Sequence, residues 1–323
     1  MLDQFSRNIN YMRISITDRC NLRCRYCMPN GPAPETHDNI LRYEEILRIC
    51  RATVNLGIVN YKVTGGEPLV RKGCASFISE LKSLPGVEQV TLTTNGILLA
   101  ENLDALCRGG LDAVTISMDT LDDEKYRAIT GFTKNETGEL RRLLAECVDR
   151  GLRTKVNTVL LEENRDDILS LAAIAGELPV DVRFIELMPI GYGSKLHCVE
   201  SDEIVDLLKT RWSDLHPTDE KRGNGPAHYY ESDALLGKLG FIDAVSHKFC
   251  ASCNRVRLTS TGDLKPCLSF ASTADLRSLL RDSCSDSELE QVLREVIFRK
   301  PRAHRFDEED MITEHQMMSQ IGG

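Results

Sequence analysis

Arg13-Ile14-Ser15-Ile16-Thr17 alternates polar and apolar residues. Successive side chains of a strand point to opposite faces, so Arg13, Ser15 and Thr17 share one face while Ile14 and Ile16 take the other. The pattern recurs with Asn60, Lys62 and Thr64 around Val63, Thr91 and Thr93 around Leu92, Thr115, Ser117 and Asp119 around Ile116, and Lys155 and Asn157 around Val156. A flat parallel sheet covered by helices on both sides reads as nearly continuous apolar runs. Five strands that each keep a polar face predict instead a curled sheet, a partial barrel with a polar lumen.

Working outward, a β-α rhythm runs to about residue 190. Strands are expected at 9–17, 58–64, 88–94, 112–118, 153–160 and 181–187, and helices near 43–56, 71–84, 100–108, 136–150 and 164–178. Ile46, Leu47, Cys50 and Val54 sit at helical spacing. Six such units predict parallel strands with crossover helices, an α/β fold of partial (β/α)6, TIM-like barrel type over residues 1–190. After Gly191-Tyr192-Gly193 the rhythm breaks. A helix at 201–212, a polar loop at 216–228, short β-like pieces and helices at 273–282 and 286–299 predict a C-terminal α+β extension over 191–323.

The chain has 323 residues and a net charge of −9, a balance that argues against a general nucleic-acid or anionic-membrane surface. Its 12 cysteines, with no signal peptide and no bilayer-length apolar run, suit a reducing cytoplasm rather than disulfides. Six form two triads. Cys50, Cys74, Cys107, Cys147, Cys198 and Cys284 are scattered, several on apolar helix faces where cysteine acts as a small hydrophobe.

Cys20, Cys24 and Cys27 follow the first strand at C-x3-C-x2-C spacing. Three thiolates so close can seat an iron-sulfur cluster and leave one iron without a protein ligand. A zinc site would want a fourth ligand, for which only His37 lies nearby in sequence. Gly65-Gly66-Glu67, Asn95-Gly96, Asp119 and Met188-Pro189 also follow strand ends, where barrels of this kind place their chemistry. The cysteine spacing, Tyr26 before the third cysteine, and Gly65-Gly66-Glu67-Pro68 together resemble the radical S-adenosylmethionine (SAM) enzymes.

Cys250, Cys253 and Cys267 form the second triad, spaced C-x2-C-x13-C. With His247 three residues upstream they could close a tetrahedral zinc site, and spacing alone leaves zinc and a second cluster open. The surrounding residues, 249–259 and 262–268, resemble the signature of the GTP 3',8-cyclases, the first enzymes of molybdenum-cofactor biosynthesis. Residues 223–227, 240–242, 300–304 and the terminal Gly322-Gly323 also fit, so the resemblance extends from Arg13 to Gly323.

That resemblance implies conversion of GTP to 3',8-cyclo-7,8-dihydro-GTP by a radical formed on cleavage of SAM, with two 4Fe-4S clusters. Cys20, Cys24 and Cys27 would hold the SAM-cleaving cluster, and Cys250, Cys253 and Cys267 an auxiliary one. Tyr26, Gly66, Ser117 and Met188 match SAM-contacting positions. Arg13, Lys62, Thr93, Lys155, Arg255, Val256 and Arg257 match GTP-contacting positions, and Arg13, Arg255 and Arg257 are the expected catalytic arginines. Lys62 stands where the family often carries arginine; lysine keeps the charge and gives up the bidentate fork. Implied partners are an electron source (a reductant protein, or dithionite in its place) and a downstream cyclic pyranopterin monophosphate synthase, with a homodimer left open. The Gly322-Gly323 tail is expected to enter the site. A radical SAM enzyme modifying a peptide, and a non-catalytic iron-sulfur or zinc protein, are the competing classes.

Overall fold

The computed structural model describes all residues except 32–34, 135, 198, 309–311, 315 and 323, and omits the His37 side chain. Cys198, Gly323 and His37 as a ligand, all singled out above, therefore lie outside the described residues.

One sheet organises the chain. Strands β1 (Tyr11–Ser15), β2 (Asn60–Thr64), β3 (Gln89–Thr94), β4 (Ala113–Ser117), β5 (Arg153–Val159) and β6 (Asp181–Ile185) are adjacent and parallel in chain order. Helices α1 (Tyr43–Asn55), α2 (Cys74–Lys82), α3 (Leu99–Arg108), α4 (Asp123–Thr130), α5 (Thr137–Asp149) and α6 (Ile168–Glu177) supply the crossovers. From residue 191 onward come α7 (Ser201–Arg211), β7 (His216–Thr218), β8 (His228–Glu231), β9 (Leu239–Ile242), β10 (Arg255–Leu258), β11 (Asp263–Lys265), β12 (Ala274–Asp275), α8 (Leu276–Arg281) and α9 (Asp286–Phe298).

This later segment adds to both edges of the same sheet. β10 pairs parallel to β1 and β9 parallel to β6, followed by antiparallel β11 and β12 on one side and β8 and β7 on the other. In the resulting order, β12-β11-β10-β1-β2-β3-β4-β5-β6-β9-β8-β7, the outermost strands do not pair with each other, so the barrel is open.

The alternation divides core from lumen. Met12, Ile14, Val63, Leu92, Ile116 and Val156 are fully buried in one apolar cluster with Ile46, Leu47 and Cys50 of α1. The opposite faces, with Arg13, Lys62, Thr93, Ser117 and Lys155, line a cavity. Helix α4 has no counterpart among the expected elements. Asp122 caps it, accepting from the backbone N–H groups of Glu124 and Lys125 at 2.8 Å each, and Gly131 ends it at φ 67°. Within it only Tyr126, Ile129 and Thr130 are buried, too narrow a stripe to stand out as a period.

Candidate functional site

Topology separates the two triads. Cys20, Cys24 and Cys27 lie beyond the C-terminal end of β1. Cys250 and Cys253 precede the N-terminal end of β10, and Cys267 follows antiparallel β11 at that same end. Strands of five residues span roughly 15 Å at about 3.3 Å per residue, so the triads face each other along the strand direction. Both line one cavity of about 980 Å³.

At the first end, Gly65 and Gly66 let one loop press on another. A Cβ on Gly65 would lie 2.6 Å from the Thr17 carbonyl oxygen, and one on Gly66 2.5 Å from that of Arg19. Gly66 N–H instead donates to Thr17 O at 2.7 Å and Glu67 N–H to Arg19 O at 2.8 Å, which fixes the turn leading to Cys20. The three thiols converge: burial, then neighbouring negative charge including the other cysteines, pushes Cys24 well above its ordinary value and Cys27 up to about 12. Such mutual repulsion is relieved by a cation bridging the sulfurs. Leu22 N–H also donates to Cys20 Sγ at 3.3 Å. Among the described residues no three His, Cys, Asp or Glu side chains are placed to share one metal ion, so the three neighbouring thiols suit a polynuclear cluster, whose irons sit apart, better than a single ion.

Two buried carboxyls sit beside it. Glu67 accepts from Leu69 N–H (3.0 Å), Thr94 hydroxyl (2.7 Å) and Asn95 N–H (2.7 Å), yet burial carries it up to about 7. Asp119 accepts from Tyr26 hydroxyl (2.7 Å) and Val159 N–H (2.9 Å) and is raised by burial to about 6. All four expected SAM-contacting residues, Tyr26, Gly66, Ser117 and Met188, line this end of the cavity.

At the other end, His304 N–H donates to Cys250 Sγ at 3.4 Å, and the Ser269 hydroxyl lies 3.6 Å from Cys267 Sγ. Burial raises the Cys253 thiol, but Arg255 and Lys300 outweigh it and bring it down to about 6, so this sulfur is poised as a thiolate ligand. His247 does not complete a zinc tetrahedron here. It is exposed, with Nδ1 3.0 Å from Ser246 Oγ and 3.7 Å from Asp243 and Nε2 3.9 Å from Asp202.

Between the triads the lumen is strongly cationic. Arg13, Lys62, Lys155, Arg255 and Arg257 all line it, with Thr93. The strand alternation sends Val256 the other way: its side chain is fully buried in the helix-side core and does not line the cavity, so only its backbone could meet a ligand. Arg183 on β6 was missed by the sequence reading. It lines the lumen, donates to Thr115 Oγ1 at 3.2 Å and shares that acceptor with Lys62 Nζ at 3.3 Å. The alternation Asp181, Arg183, Ile185 carried the signal. Lys155 is already paired: Asp181 lies 3.1 Å from its Nζ and is also gripped by Arg222, 2.9 Å away, from the loop that crosses this end of the lumen. Burial and the neighbouring cations push Arg13 down to about 10 and Arg257 and Lys62 well below their ordinary values. Concentrated, desolvated positive charge of this kind calls for a multiply charged anion.

The described part of the C-terminal segment enters the same space. Met318 and Ser319 line the cavity, Ile321 is buried, and the Gly322 carbonyl accepts from Arg257 Nη1 at 2.6 Å. A Cβ at Gly322, whose φ is 76°, would lie 3.1 Å from Thr64 Cγ2 and 3.3 Å from Ser15 Cβ. The segment is anchored by Glu314, which forms a buried ion pair with Lys265.

The Radical SAM superfamily matches residues 14–175, and Molybdenum Cofactor Synthesis C matches 180–306. A GTP 3',8-cyclase of Clostridium perfringens (strain 13 / Type A) is 40% identical over 328 residues, covering 100% of both chains. The chain belongs to the GTP 3',8-cyclase family. Another of its members, from Alkaliphilus oremlandii (strain OhILAs), is 42% identical over 332 residues, again covering 100% of both chains. Among solved structures, Streptococcus suis SuiB bound to S-adenosylmethionine superposes with a TM-score of 0.62 at 15% identity, covering 97% of this chain and 78% of that one, which speaks to the fold alone. As a radical SAM protein the chain uses SAM and an iron-sulfur cluster. Among the described residues no helix is long and apolar enough to cross a membrane.

Proposed function

We propose that this chain is a GTP 3',8-cyclase, converting GTP to 3',8-cyclo-7,8-dihydro-GTP in the first step of molybdenum-cofactor biosynthesis. The observation that carries the reading is the single cavity with a cysteine triad at each end and buried cations between them. Cys20, Cys24 and Cys27 would hold the SAM-cleaving 4Fe-4S cluster, and Cys250, Cys253 and Cys267 a second one that meets the guanine. When bound, the first cluster and SAM supply the radical that takes hydrogen from C3' of the ribose.

The chain's own part is to bind, orient and exclude water. Tyr26, Gly66, Ser117 and Met188 line the SAM end. Arg13, Lys62, Arg183, Arg255 and Arg257 offset the triphosphate and aim the ribose, and Thr93 lines the wall beside them. Lys155 joins them only by sharing itself with Asp181. Within this reading, 1–190 is the barrel unit and 191–323 carries the second triad and much of the nucleotide site. A one-electron donor protein, a cyclic pyranopterin monophosphate synthase downstream and a reducing cytoplasm belong to the same proposal.

The identity of the second centre is read by metal analysis after anaerobic reconstitution. Two cubane clusters give about eight irons per chain, and His247→Ala leaves that number unchanged because its ring faces Asp243 and Asp202. About four irons with one zinc that His247→Ala removes would reject the second cluster.

Lys62 gives affinity a pH dependence. Burial first, then Arg183, Arg13, Lys155 and Arg255, depress its ammonium. A bound polyanion raises it again, so binding takes up a proton once pH exceeds the depressed value. GTP affinity is therefore expected to fall as pH rises through that value. Calorimetric Kd values from neutral to alkaline pH should show this slope, and Lys62→Met should reduce it. An equal slope in Lys62→Met would assign the effect elsewhere.

A further inference from the structure

Arg7 does not line the cavity, yet its buried guanidinium is tied to the segments that carry the second triad. Nε donates to Asp3 Oδ2 at 2.6 Å. Nη1 donates to the carbonyls of Cys250 and Arg302, each at 2.9 Å, and Nη2 to those of Pro301 at 2.7 Å and Lys300 at 3.4 Å. Asp3 is equally committed: its Oδ1 accepts from the backbone N–H groups of Phe5 and Arg7, both at 2.9 Å, and its Oδ2 lies 2.6 Å from Arg7 Nη2. Ser6 adopts φ 62° between them, in a tight hook closed by Ser6 N–H on Asp3 O at 3.0 Å. A serine in the left-handed region is uncommon and holds only where its surroundings fix it.

The hook's partners lead to both loops that carry the triad. The turn at 300–302 continues into His304, whose N–H meets Cys250 Sγ. Lys300, also buried, sends Nζ to the carbonyl of Pro266, next to Cys267. Cys250 is thus held at its carbonyl by Arg7 and at its sulfur by His304, and the Cys267 side is drawn in through Lys300. Three cysteines on two loops, with β10 and β11 between them, must keep a fixed separation to accept a metal centre, and second-layer hydrogen bonds set that geometry. A planar fork with its donors committed to backbone carbonyls has the rigidity needed, which lysine lacks.

We infer that the Asp3–Arg7 hook is the positioning device of the second triad: Arg7 holds the Cys250 loop against the 300–304 turn and so fixes the distance between the cysteines before metal arrives. The inference rests on the second triad being a metal centre, and it stands whether that metal is iron or zinc.

The test is anaerobic reconstitution of full-length wild type, Arg7→Met, Arg7→Lys and Asp3→Asn. Each is followed by iron and zinc analysis, electron paramagnetic resonance of the reduced protein, melting of the metal-free chain, and SAM cleavage without GTP. Arg7→Met should lose the second centre's metal, about half the iron if both centres are cubanes, while the first centre's signal and SAM cleavage persist. Arg7→Lys should retain an intermediate amount. Asp3→Asn, which leaves the arginine in place but loosens it, should keep the metal and alter only the second centre's signal. Full metal with an unchanged second signal in Arg7→Met would overturn the inference. So would parallel loss of both centres with a lowered melting temperature, which marks a general role in the fold. Wild type with zinc in the second triad would refute the second cluster while Arg7→Met still reads the hook, and a wild-type second triad that takes neither metal would overturn both.

Discussion

Replacing Cys20, Cys24 and Cys27 together by alanine should abolish reductive cleavage of SAM and leave the chain folded. The loop that carries them owes its shape to backbone contacts, Gly66 N–H on Thr17 O, Glu67 N–H on Arg19 O and Arg23 N–H on Thr130 O, none of which needs a thiol. The folded state should therefore survive in the far-ultraviolet circular dichroism spectrum, while each missing sulfur would remove one of the three ligands proposed for the first centre. Release of 5'-deoxyadenosine by the triple variant under dithionite would detach the radical chemistry from this triad.

Arg257→Ala, and likewise Arg13→Ala, should lower the cyclised product about a hundredfold, the scale expected when a reacting atom is misplaced by an ångström. Both side chains face the lumen on paired strands, opposite each other in register. Burial first, then neighbouring cations (Arg255 and Arg183 for Arg13, Arg13 and Arg255 for Arg257), depress both guanidiniums, so each is stabilised by an anion and neither fits a solvated surface role. Iron content should be unchanged and 5'-deoxyadenosine should form without matching product, because the first triad stands at the far end of the lumen. Arg257 also holds the Gly322 carbonyl, so Arg257→Lys, which keeps a donor, should fall between. Product formation equal to wild type in both alanine variants would remove these arginines from the nucleotide site.

Much of this arrangement is legible in the residues, for a physical reason. A barrel lumen forces every strand to alternate, so Arg13, Lys62, Thr93, Ser117 and Lys155 declare a shared polar face before any contact is known, and the β-α rhythm orders six strands correctly. What escapes is whatever depends on distant pairing. That β9 and β10 close onto β6 and β1 as parallel edges cannot be read from four-residue strands. Helix α4 hides behind a mostly polar sequence. Val256 follows from alternation alone as a core residue, and the family resemblance put it among the nucleotide contacts instead. The Lys155–Asp181–Arg222 group, the orientation of His247 and the reach of Arg7 to Cys250 join residues remote in sequence, so nothing local announces them.

The central claim is tested most directly by incubating the reconstituted protein anaerobically with SAM, dithionite and GTP and analysing the nucleotides by mass spectrometry. The account predicts 3',8-cyclo-7,8-dihydro-GTP in step with 5'-deoxyadenosine, and no such product when GTP is withheld. Protein loaded at both triads that cleaves SAM yet leaves GTP intact would contradict it.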